Sequence, residues 1–61
     1  MIAYKKSQAL RMAKSLKARM KQDQRIVIEH DWSQGMYVLH LLDKGDSQRF
    51  IAGKIIKTLT K

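Results

Sequence analysis

An α+β module of α-β-β-α order, a helix, a hairpin and a second helix in one small domain, is the fold class that these 61 residues predict. Three observations carry that expectation. Apolar residues recur at helical spacing up to Gln22, strict alternation follows from Arg25 to Trp32 with a second β-rich run behind it, and helical spacing returns after Ser47. The alternative order is α-β-β-β-α, with residues 48–52 as a third strand.

The first helix is expected over residues 3–22. Ala9, Ala13, Leu16 and Met20 follow the 4-3-4 spacing of a core-facing stripe, and Ile2 and Met12 fall on the same side. The opposite side carries Ser7, Arg11, Lys14, Lys17 and Lys21. Ala, Leu, Met, Lys, Arg and Gln are good helix formers, so propensity agrees with pattern.

Strands are expected over residues 25–32 and 36–42. Ile26, Ile28, His30 and Trp32 share one face of the first, with Val27, Glu29 and Asp31 on the other. Gly35 supplies the positive φ that a tight hairpin needs. A two-residue turn at Gln34-Gly35 pairs Trp32 with Tyr37, His30 with Leu39 and Glu29 with His40. It gathers Ile26, Ile28, Trp32, Tyr37, Leu39 and Leu41 on one face, with the aromatic pair as core. A one-residue slip would scatter that apolar set, so this register is preferred.

Asp43-Lys44-Gly45-Asp46 reads as a turn, with Asp46 as an N-cap. Beyond it Ile51, Ala52, Ile55, Ile56 and Leu59 share a helical face, which predicts a second helix over residues 47–60. Gly53 dissents, because a mid-helix Gly costs roughly 1 kcal/mol against Ala. Phe50 also dissents, since it falls on the polar side.

Size and composition narrow the function classes. A chain of 61 residues makes one domain of marginal burial, and with no Cys it has neither disulfides nor thiolate metal sites to support it. The apolar stripe of Val27, Met36, Val38 and Leu42 lies on the sheet face that the helices do not cover, which predicts a homodimer. The longest apolar run is far too short to span a bilayer, and no signal-peptide pattern is present, so a cytoplasmic location is expected.

No enzyme active site is legible. Glu29-His30-Asp31 invites an acid–base reading, but strand alternation separates His30 from both acids, and a general base needs its partner within hydrogen-bond reach. His30 and His40 fall on opposite faces and supply too few ligands for zinc. No cofactor or metal is expected.

Charge is the strongest functional signal. The net formal charge is +8, and residues 1–22 hold seven Lys or Arg with no acid. Residues 47–61 hold four more, again with no acid. Phosphate backbones attract such surfaces independently of sequence. The expected partner is therefore DNA or RNA, bound by Arg11, Lys14, Lys17, Lys21 and Arg25 from the first helix and its exit. Lys54, Lys57 and Lys61 extend that footprint. An acidic protein surface is the alternative partner, and a membrane surface is disfavoured because the apolar side of the helix is poor in large anchors.

Overall fold

A computed structural model describes all 61 residues as one helix packed on a four-stranded sheet. The elements run β1 (Ile2–Ala3), α1 (Lys6–Lys17), β2 (Arg25–Asp31), β3 (Met36–Leu42) and β4 (Lys54–Thr60). The sheet order is β1-β3-β2-β4, and every paired neighbour is antiparallel.

The expected C-terminal helix is absent, and a strand takes its place. The alternative third strand over residues 48–52 is also displaced, to Lys54–Thr60. Two physical reasons override the helical pattern. Ile55, Ile56, Thr58 and Thr60 are β-branched and favour the pleated surface. In addition, Ile26, Val27 and Ile28 on β2 are wholly buried, so β2 needs backbone partners on both of its edges. β3 supplies one set and β4 the other.

The helical look of the C-terminal segment has a structural origin. β4 pairs Lys57 with Ile28 and Ile55 with Glu29, leaving Ile56 as an extra residue in a bulge. Period-two alternation is broken there, so Lys54, Ile56, Lys57 and Leu59 all belong to the sheet face that α1 covers. Ile56 and Leu59 pack against the core. The bulged strand thus shares the three-residue step from Ile56 to Leu59 with a helix, while Ile55 turns to the opposite face.

α1 is shorter than the expected residues 3–22 at both ends. Residues 2–3 instead pair with β3, where Met1 and Leu39 exchange main-chain hydrogen bonds. At the other end Arg19 and Met20 bond back to Leu16 and Lys17, tightening the last turn. Met20 drops into the core, and residues 21–24 form a turn closed by Gln24 on the Lys21 amide. The core face of α1 matches the expected stripe. Ala9 and Ala13 are fully buried against Ala3, Met20, Ile26, Ile28 and Leu39.

The hairpin places its faces as expected but pairs its residues differently. Asp31 stands opposite Met36, His30 opposite Tyr37 and Ile28 opposite Leu39. This is a two-residue slip from the expected register, which keeps each side chain on its face. The loop is therefore Trp32-Ser33-Gln34-Gly35. Asp31 organises it by accepting bonds from the Ser33 amide, the Ser33 hydroxyl and the Gln34 amide, and Gly35 closes it at φ 65°. Trp32 leaves the core as a result.

Residues 43–53 cross the sheet face opposite α1. The Gly53 amide donates to Glu29 Oε2 at 2.7 Å, and Phe50 meets the edge of His40 at 5.3 Å. Glu29 Oε1 holds His40 Nε2 at 2.8 Å. The expected Glu29–His40 contact thus exists between diagonal neighbours rather than directly opposed residues. A side chain on Gly53 would strike Glu29 and the His30 carbonyl, which is why Gly stands there. Asp46 is not an N-cap, for its carboxylate accepts from the Asp43 amide and closes the turn. Beneath this segment Val27 and Leu42 are buried, and Met36 and Val38 are half-buried. Of the apolar stripe on which the dimer expectation rested, Val27 and Leu42 are covered within one chain, while Met36 and Val38 stay partly exposed. No helix is long and apolar enough to cross a membrane.

Candidate nucleic-acid interface

The surface of interest is built where the end of α1 approaches the end of β4. Lys14 and Lys17 occupy the last turn of the helix, where cations complement the partial negative charge of its C-terminus. Lys61 follows the final strand, and its ammonium donates to the Met20 carbonyl at 2.6 Å. Lys14, Lys17, Ala18 and Lys61 together line an open concavity of about 400 Å³. Three of the expected cationic residues, separated by more than forty positions in the chain, are brought together there.

Lys57 and Lys54 continue the row along β4. Both fall on the α1 side of the sheet, with Lys57 opposite Ile28 and Lys54 opposite His30. Without the bulge, residues 54 and 57 would project to opposite faces. The bulge therefore turns a scattered set of lysines into one aligned row.

The remaining expected residues are distributed differently. Arg11 is exposed on α1, and Lys21 is exposed in the turn that follows it. Arg25 is half-buried, and its guanidinium donates to the Asp43 carbonyl at 3.2 Å and the Asp46 carbonyl at 2.6 Å. It fastens the start of the crossing segment to β2, which is a structural task.

The electrostatics of the cationic surface are one-sided. The only ion-pair geometry is His40 with Glu29; none of the 13 Lys and Arg side chains has a carboxylate oxygen within 4.0 Å. Like charges around one concavity repel, and a bound anion relieves that repulsion. Four of the five acids are held elsewhere, and the fifth, Asp23, is exposed in the turn after α1, two residues from Lys21. Glu29 and Asp31 project from the far face of β2, and Asp43 and Asp46 form the turn after β3.

The sequence reading missed an aromatic group at the hairpin end. Tyr37 and His30 stack with centroids 4.5 Å apart and planes 11° apart, and Trp32 lies 4.0 Å from His30 at 53°. Trp32 is nevertheless 73% exposed. The signal was present in Asp31-Trp32-Ser33, because an Asp two residues before a Ser favours a side-chain-closed turn that lifts the intervening residue out of the strand. Phe50, on the polar side of the expected second helix, lies on the sheet face opposite α1 against His40. Compared with known protein families, with curated proteins and with solved structures, the chain matches none.

Proposed function

We propose that this chain is a non-enzymatic nucleic-acid-binding module, acting as a regulatory or accessory factor. The single observation that carries the reading is the convergence of Lys14, Lys17 and Lys61 on one concavity with no carboxylate to neutralise them. A solvated basic face would need no such convergence from opposite ends of the chain. Phosphates at roughly regular spacing satisfy a row of ammonium groups better than isolated anions do, and each contact releases condensed counterions. Lys54 and Lys57 extend the row, and Arg11 and Lys21 border it from the helix side.

The test is fluorescence anisotropy of labelled duplex DNA, duplex RNA and single strands at several salt concentrations. Four to six phosphate contacts give a slope of log K against log salt of roughly −4 to −5 on B-DNA. Replacing Lys14, Lys17 and Lys61 with Gln is expected to weaken binding to every sequence and to flatten that slope by about 3. Circular dichroism of the triple variant checks whether it stays folded. If no probe binds near physiological salt, the reading fails and the same surface is to be tested against acidic proteins.

A further inference from the structure

We propose that Trp32 is a base-stacking platform and that the nucleic acid held by this surface is single-stranded. The inference rests on the nucleic-acid reading above and deepens it. An exposed tryptophan alone signifies little, since isolated apolar residues are normal on protein surfaces. Trp32 differs in being supported and in having cations beside it. Its indole lies against His30, which in turn stacks on Tyr37, so one ring of a three-ring group is presented to solvent in a fixed place.

The lysine row begins at that same end of the sheet. Lys54 pairs directly with His30, two residues from Trp32 along β2. Lys57 and Lys61 follow, and the row ends at the concavity shared with Lys14 and Lys17. Seven residues of extended strand cover about 23 Å, enough for several nucleotides to run from the aromatic ring to the lysine concavity. Bases in a duplex are stacked on one another and present only their edges, whereas a single strand offers π faces to an aromatic side chain.

Two acids lie near Trp32. Glu29 and Asp31 line a shallow depression with Trp32, Ser33, Ala52 and Gly53. Both carboxylates are engaged internally, Glu29 by His40 and the Gly53 amide, Asp31 by Ser33 and Gln34. Both also project from the β2 face opposite His30 and Lys54. The cationic side of the indole is therefore the side open to a polyanion.

Trp32 is the only tryptophan, so its emission reports on this site alone. The experiment titrates the full chain with oligothymidylate and oligouridylate about twelve nucleotides long and with a duplex of equal length. Trp32 emission is read alongside the anisotropy of the labelled strand. The expected result is quenching in proportion to bound single strand and none with duplex. Trp32→Ala is expected to weaken single-strand binding roughly tenfold while leaving duplex binding unchanged, and Trp32→Phe to retain most of it.

Single-strand binding with unchanged emission and unchanged affinity in Trp32→Ala would overturn the stacking site while leaving the nucleic-acid reading in place. Equal quenching by duplex would overturn the single-strand preference. Absence of binding by every probe would overturn both. The quenching measurement uses the unaltered chain, so it decides the matter even if the alanine variant folds poorly.

Discussion

Asp31 shows how one carboxylate can set the position of a neighbouring side chain, Trp32. Its Oδ1 accepts the Ser33 hydroxyl at 2.6 Å and two main-chain amides, and these bonds favour the ionised form. The Ser33 hydroxyl is the largest influence holding this carboxyl below the ordinary Asp range; the slight desolvation at the site opposes it, and the amides and His30 reinforce it. Because the value is depressed in the folded chain, the stabilisation is fully present above the ordinary Asp range. It is lost as pH falls through the depressed value. The Ser33 and Gln34 amides are therefore expected to lose hydrogen-exchange protection and shift their NMR signals in acid. The Asp31→Asn variant should show no such acid-dependent step. A Trp32 side chain that stays ordered on His30 after the loop opens would show that the carboxylate does not position it.

At the scale of single elements, α1 carries a correctable flaw. Its N-cap is Lys5, whose backbone has the extended geometry of a cap but whose side chain offers no acceptor. No acid occupies the first turn, where the helix dipole would favour one. Lys5→Asp is expected to stabilise the fold by about 1 kcal/mol. For a domain of this size that raises Tm by roughly 4–8 °C, readable in a thermal melt. An unchanged or lowered Tm would mean that the helix start is set by the β1–β3 pairing and not by its cap. The element scale also explains what was legible in the chain. The core stripe of α1 and the faces of β2 and β3 follow from residue spacing alone. The pairing of the hairpin does not, because registers two residues apart keep every strand side chain on the same face. Only the Asp31-closed loop separates them. In β4 only the Ile56–Leu59 spacing is shared between the helical pattern and the bulged strand; Ile55, on the same side as Ile56 in a helix, pairs with Glu29 on the opposite sheet face.

For the whole molecule, the consequence is a sheet covered on both sides by a single chain. α1 covers one face and residues 43–53 the other, so Val27 and Leu42 are buried without a second copy. The exposed edge of β4 carries Lys54 and Lys57, which oppose edge-to-edge strand addition. The chain is accordingly expected to sediment as a monomer in the absence of nucleic acid. A concentration-independent dimer by analytical ultracentrifugation would show that exposed apolar residues join two copies. The cationic surface is likewise a property of the whole. Arg11, Lys14 and Lys17 could be placed on one helix stripe from their spacing. Their meeting with Lys61 required β4 to lie beside α1, which no local pattern specifies.

By itself the sequence determined the charge, its segregation from the acids, the amphipathic helix and the two faces of the hairpin. These are local or compositional properties, set by residue type and by periods of 3.6 and 2 that each segment carries within itself. Tertiary structure alone decided that the last segment is a strand and that residues 43–53 cover the far face. Both depend on satisfying backbone or side-chain partners distant in the chain: the open edge of β2 and the Glu29 carboxylate waiting for the Gly53 amide. A helical pattern costs little to abandon when a buried strand would otherwise keep an unpaired edge, and that imbalance settled the fold of the C-terminal third.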